Sequence, residues 1–220
     1  MQFSFFTLFC HLFLIIILTL TTQIGGVIYI ISVVFIKKKS LKFKRKRLFL
    51  FAVLYSLTTY LIIPNLASVF GREKIRENKN LTAHFFITKL FNRNYVNPEL
   101  NLILEDISEA LKRNNPKIKL IYLDANFPFF DGFPLLPHLS HNDGKKIDVS
   151  FIYKDEKGKA TNLKKSISGY GVFEKPTKRE VNQTKNCKQK GYWQYDFTKY
   201  ITFGSIYDSL KLSEKATKFL

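Results

Sequence analysis

Two long apolar runs separated by a short basic one constrain this chain more than any other feature. Residues 2–36, "QFSFFTLFCHLFLIIILTLTTQIGGVIYIISVVFI", are almost uncharged. Residues 48–63, "LFLFAVLYSLTTYLII", are also apolar, and the run continues past Pro64 to Phe70. A helix needs roughly 20 apolar residues to cross a bilayer. The first run predicts a membrane segment within 1–36, either one tilted span or a span with an interfacial extension. It is too short for two full spans and a turn. The second predicts a transmembrane helix over 48–70, with Pro64 tolerated near its end. The first run does not read as a cleaved signal, because its n-region has no positive charge, its apolar stretch is too long, and no A-x-A-like site follows.

Between the runs lies "KKKSLKFKRKR", residues 37–47, with eight basic residues and no acid. Alone it would pass for a nucleic-acid or nuclear-import patch. Between two spans it reads as a cytoplasmic loop obeying the positive-inside bias. The expected topology follows: N-terminus outside a bacterial cytoplasmic membrane, loop inside, residues 71–220 outside. Setting those eight aside leaves 27 of the 35 Lys and Arg against 17 Asp and Glu, a net of +10. That excess suits a domain beside cell wall or lipid head groups, and it equally suits a lysine-rich composition. The basic and aromatic residues are not interleaved as single-stranded nucleic acid requires, so no nucleic-acid partner is expected. Cys10 sits in the first apolar run and Cys187 in the outer part, so no disulfide framework is implied.

The outer part reads as a linker over 71–83 and an α+β domain over 84–220, long enough for one core. Residues 81–91 fit a short helix or a strand. Residues 97–115 predict a helix with Asn97 as N-cap, Pro98 at N1, and Leu100, Ile103, Leu104, Ile107 and Leu111 on one face. A strand at 117–123 follows, then the loop "DANFPFFDGFPLLP", then a strand at 147–153 and a turn at "DEKGK" that closes a hairpin. The sheet is expected to be antiparallel or mixed, and residues 205–220 to end the chain as a helix.

The segment "PHLSHNDGKKIDVSFIY", residues 137–153, carries the candidate chemistry. Alternation puts Ile147, Val149, Phe151 and Tyr153 on one face and Asp148, Ser150 and Ile152 on the other. Gly144 permits a turn that brings the His141 imidazole back beside the Asp148 carboxylate. Both are good zinc ligands, with Ser140 and His138 placed to orient them. The plain alternative is a turn histidine paired with an aspartate at a strand edge.

"PHLSHNDGKKID" resembles the S-x-H-x-x-G-x-x-x-D signature of the penicillin-insensitive murein endopeptidases and the related D-alanyl-D-alanine and hedgehog-like zinc peptidases. The resemblance covers about residues 116–153. It implies zinc held by His141 and Asp148, with His138 and Ser140 as close neighbours. It also implies a substrate cleft lined from "DANFPFFDGF" by Asp124, Asn126, Phe127 and Asp131, with peptidoglycan peptides as substrate. The family takes its third ligand and its base from a later His-x-His segment. Here the four histidines are His11, His84, His138 and His141, and none follows residue 141. The chain as written is therefore expected to lack a catalytic set, and its apolar ending "KATKFL" is read as a truncation before that segment. Cys187, Asp196 and His138 are the available substitutes. Two functions stand beside each other: a membrane-anchored zinc peptidase, inactive as written, and a non-catalytic membrane-anchored protein that binds cell-wall peptides. A third is a membrane protein that matches the motif by chance. Trp193 and nearby tyrosines suit core packing or sugar stacking. The sequons at 80–82 and 182–184 matter only in a eukaryotic secretory setting.

Overall fold

The first apolar run does not stay one helix. In the computed structural model, which describes residues 5–37, 41–170, 176, 180–192, 200–218 and 220, helix α1 (Phe5–Thr22) breaks at Gln23 and helix α2 (Gly25–Phe35) folds back along it. Gln23 takes a positive φ of 67°. Gly25 and Gly26 follow because the return is too tight for a side chain: a Cβ on Gly26 would lie 2.0 Å from Thr19 Oγ1. His11 Nδ1 and Tyr29 Oη, on opposite limbs of the hairpin, stand 2.6 Å apart in a hydrogen bond. α1 is about 27 Å long at 1.5 Å per residue, whereas α2, at about 16 Å, cannot span a bilayer core.

Helix α3 (Phe43–Leu57) then runs back beside α2. Its Arg47 donates from Nε to the Ile36 carbonyl at 2.8 Å and so caps the end of α2. Phe6 of α1 and Phe43 of α3 line the same end of the hairpin. The first run is expected as one span or a span with an interfacial extension; the Gln23–Gly26 break instead returns the chain as α2, so that Phe6 and Phe43 come to the same end. The helix continues from α3 through a π turn (Thr58–Ile62) into α4 (Ile63–Ala67) and a 3-10 turn to Phe70. The widened turn precedes Pro64, whose ring has no N–H to give and would clash with the carbonyl four residues earlier. Among the described residues, Phe5–Thr22 and Phe43–Phe70 are the two helices long and apolar enough to cross a membrane.

The rest is mixed α and β with short strands. In chain order these are β1 (Glu73–Lys74), β2 (Leu81–Ala83), α5 (Phe86–Leu90), β3 (Tyr95–Val96), α6 (Pro98–Asn114) and β4 (Leu120–Asp124). Then come β5 (Asp148–Val149), β6 (Tyr153–Lys154), β7 (Ala160–Thr161), α7 (Gln183–Gln189), β8 (Lys211–Leu212) and α8 (Glu214–Thr217). The chain divides into two units: residues 1–76, 85–103 and 124–147, and residues 77–84, 104–123 and 148–220.

The first unit holds the helical hairpin, and β1 pairs antiparallel with β3 within it. Ile63, Ala67, Tyr95 and Phe129 form a buried cluster, with Ile24 against it. Gln23 clasps the Phe129 backbone from both sides, donating from Nε2 at 2.8 Å and accepting at Oε1 at 3.0 Å. In the second unit β2 and β4 pair in parallel, with β5 beside β4. β6 lies between β7 and β8, antiparallel to both, and the "DEKGK" turn closes β6 to β7 as expected.

Several expectations change. Residues 71–83 are not a bare linker, for they carry β1 and β2 and bury Arg72, Ile75 and Leu81. Residues 81–91 form a strand and then a helix. Asn97 caps α6 as expected, accepting from the Leu100 N–H at 2.8 Å. The most buried line of α6 is Asn101, Leu104, Ser108 and Leu111, while Ile103 is 45 % exposed. Asn101 belongs inside because it donates to Glu73 Oε1 and the Lys74 carbonyl and accepts from the Arg76 N–H. The strand expected at 147–153 splits into β5 and β6: Phe151 turns outward, and Ser150 and Ile152 are buried in its place. The final helix shrinks to α8, since Lys211 and Leu212 pair with β6. Trp193 and Asp196 lie outside the described residues.

Candidate metal centre

The site begins with three consecutive residues at the end of a buried strand. Asp124, Ala125 and Asn126 are at most 5 % exposed. Polar groups that deep must find partners inside the protein: Ala125 and Asn126 find them on the loop that carries the motif, and Asp124 finds Arg93, which itself reaches that loop. Asp124 takes both Arg93 Nε, at 2.9 Å, and Arg93 Nη2 in a forked ion pair. Arg93 in turn donates from Nη1 to the Leu136 carbonyl at 2.9 Å, two residues before His138. The Ala125 carbonyl accepts from His141 Nδ1 at 3.0 Å. Asn126 accepts from the Gly144 N–H at 3.2 Å and donates to the Lys146 carbonyl at 2.7 Å. The loop is thus pinned at 136, 141, 144 and 146.

Gly144 makes the turn as its position predicts, at φ 77°. A Cβ there would stand 2.8 Å from Arg72 Nε. Arg72 is itself buried, donates to the Phe127 carbonyl at 3.0 Å, and pairs with Asp131. The His141 N–H closes a turn onto the His138 carbonyl at 2.9 Å, which sets the two imidazoles 5.3 Å apart, centroid to centroid.

His138, His141 and Asp148 each bring one ligating atom within 4.8 Å of the other two. All three stand on one stretch of eleven consecutive residues, so the grouping follows the local path of the chain. His141 is 5 % exposed. Because a carbonyl only accepts, His141 Nδ1 carries the proton in the neutral ring, and Nε2 presents its lone pair. A metal-binding histidine commonly donates its other ring N–H to a carbonyl or carboxylate in this way. Asp148 has its own orienting partner: Tyr170 Oη donates to Asp148 Oδ2 at 2.8 Å. Two histidines and one aspartate suit zinc, which at bonds of about 2.0–2.2 Å spaces neighbouring donors about 3.4 Å apart.

No protein-family model, no curated protein and no solved structure matches this chain.

The sequence-selected residues fall into three groups. His138, His141 and Asp148 come together, so the geometry offers three donors where the resemblance assigns two. Asp124, Asn126 and Phe127, expected in a substrate cleft, are buried; Asp124 pairs with Arg93, and Asn126 donates to the Lys146 carbonyl of the loop. Asp131 is exposed and paired with Arg72. Ser140 is exposed, and the bonds that orient His141 and Asp148 come from Ala125 and Tyr170 instead. Cys187 is buried on α7, where its sulfur accepts from Gln183 Nε2 at 3.7 Å. His84 donates to the Ile167 carbonyl at 2.8 Å, and burial first of all lowers its pKa. Sequence reasoning missed Arg72, Arg93 and Tyr170. Only Arg93 left a signal, as a lone cation in the amide-rich stretch "NRNYVN".

Proposed function

We propose that this chain is a membrane-anchored zinc protein, and that its site is a hydrolase centre of the murein endopeptidase type, directed at peptidoglycan peptides. The observation that carries the reading is the convergence of His138, His141 and Asp148. With His138 as third donor, the set has the two-histidine, one-carboxylate make-up of hydrolytic zinc sites, with a fourth position left open. His138 then stands in for the later histidine that the resemblance calls for. A bound zinc ion would polarise an amide carbonyl and acidify a water toward neutrality. The Ala125 carbonyl holds the His141 ring in the tautomer that offers Nε2, and Tyr170 holds the Asp148 carboxylate in place.

The hairpin supports a specific topology. The N-terminal end of α1 and the basic 37–47 stretch share one end, and the positive-inside bias assigns that end to the cytoplasm. The 138–148 stretch then lies outside the cytoplasmic membrane of a bacterium.

One observation favours a second reading, a non-catalytic scaffold that binds cell-wall peptides. Asp124, Asn126 and Phe127 are buried and cannot line an open cleft. The same experiment separates the two. The full chain is purified in detergent, stripped with chelator, reloaded with zinc and assayed for metal content and for cleavage of cross-linked muropeptides. About one zinc per chain, lost in His141→Ala, with cleavage, supports the hydrolase. Zinc and muropeptide binding without cleavage supports the scaffold. Failure to retain zinc overturns the hydrolase reading, and muropeptide binding that persists without zinc supports the scaffold.

A further inference from the structure

The helical hairpin encloses a feature that the metal centre does not use. A cavity of about 710 Å³ lies between α1 and α3 and is floored by Tyr29 and Ser32 of α2. That is the size of a small-ligand site. Its lining is graded along the helices. At the end shared by the N-terminus and the basic stretch are Thr7, Lys44 and Arg47, with His11, Tyr29 and Ser32 next to them. Toward the other end the lining is Leu14, Leu18, Leu48 and Phe51. The two cations, Lys44 and Arg47, stand at one end beside Phe6 and Phe43, and the other end is apolar, so a matching ligand has an anionic head and a hydrocarbon tail.

Charge points the same way. No Asp or Glu occurs before Glu73, while residues 37–47 hold eight cations. The cations around the cavity mouth have no carboxylate of their own segment to pair with. Arg47 is buried, gives Nε and Nη2 to the Ile36 and Val33 carbonyls, and sits over the Phe43 ring. Those bonds do not use Nη1. A polar or ionisable group inside an apolar helical bundle commonly marks a ligand site. Here His11 and Tyr29 are bonded to each other in the cavity wall.

We propose that this groove binds one anionic phospholipid of the leaflet facing the basic stretch, its phosphate at Lys44 and Arg47 and one acyl chain along Leu14, Leu18 and Phe51. The proposal rests on the membrane insertion argued above but not on the metal centre. Bound there, the lipid joins α1 to α3 and neutralises the basic stretch beside it.

The test uses the full chain in nanodiscs of phosphatidylcholine with or without phosphatidylglycerol, and reads thermal stability and the lipid retained after detergent exchange. Phosphatidylglycerol is expected to be retained and to raise the midpoint. Lys44→Gln should weaken retention about fivefold, the worth of one cation near an anionic leaflet. Leu14→Trp, which fills the groove, should abolish retention, while Val53→Trp, at a residue that does not line it, should not. Equal retention of both lipids, or unchanged retention in Leu14→Trp, overturns the lipid site. Equal stabilisation by free glycerol phosphate overturns the assignment of a lipid. Release of the chain from membranes by alkaline carbonate overturns the insertion itself and the lipid site with it, whereas the zinc assay is unaffected.

Discussion

Tyr170 donates its phenolic hydrogen to Asp148 Oδ2 at 2.8 Å, and so a residue 22 positions away sets the orientation of the one carboxylate in the His138, His141 and Asp148 group that could hold a metal ion. Outer partners of this kind hold a ligand ready and adjust its basicity without touching the ion. Tyr170→Phe is expected to weaken zinc affinity about tenfold while leaving the fold intact. Competition with a chromogenic chelator reads this directly. Affinity equal to that of the parent chain would remove Tyr170 from the site.

Arg93 and Asp124 support the loop from below. Their side chains are 16 % and 7 % exposed, so little water screens either one. Asp124→Ala strands a buried guanidinium, the one that also donates to the Leu136 carbonyl. The expected loss is about 3–5 kcal/mol, the usual cost of removing one partner of a buried pair. Replacing both with apolar residues should cost much less. Denaturant midpoints of the two single variants and the double variant in one detergent check this, and an additive double variant would contradict it.

The legible parts of the chain were those governed by local rules. Asn97 and Pro98 announce the start of α6, the apolar runs announce α1 and the α3–α4 helix, and Gly144 announces its turn. The hidden parts depend on distant partners. Gln23 reads as a polar residue inside an apolar run, yet its clasp on Phe129, 106 residues away, fixes the break between α1 and α2. Asn101 and Ser108 interrupt the apolar stripe of α6 but occupy its most buried line, because Glu73 and Lys74 satisfy the former and the Glu105 carbonyl the latter. At the site, the His-and-Asp spacing was readable, but the role of "DAN" was not. An acid and an amide ending a buried strand signal internal bonding as readily as a cleft, and only the fold shows that the partners are Arg93, Gly144 and Lys146.

Gly144 has two reasons to be glycine. Its φ of 77° disfavours any side chain, and the space a Cβ would take lies 2.8 Å from Arg72 Nε. Gly144→Ala is expected to cost about 1–3 kcal/mol in stability. Because the Gly144 N–H also bonds Asn126, zinc affinity should fall with it. The same substitution at Gly158, where φ is 73° but nothing lies within 4 Å, strains the backbone alone and should leave zinc binding unchanged. Parallel melting curves and chelator competitions for the two variants check the contrast, and equal zinc affinities would break it.

Lys164 gives the second unit a stability that depends on pH. It is 7 % exposed, its ammonium donates to the Asn162 carbonyl at 3.0 Å, and burial lowers its pKa from 10.5 to about 8. The unfolded chain therefore binds more protons than the folded one between about pH 8 and 10.5, and stability rises with pH wherever the unfolded state binds more. The Lys164 contribution is fully present above the unfolded value and is lost as pH falls through about 8. The effect is bounded by about 3 kcal/mol, at roughly 1.4 kcal/mol per pKa unit. Lys164→Met keeps the stem and removes the charge, so it should stabilise the protein at pH 7 and flatten the rise between pH 8 and 10.5. Unfolding midpoints measured across that range for both chains check the sign, and a parent chain that loses stability there, with the variant unchanged, would show that the Lys164 ammonium is better solvated folded than unfolded.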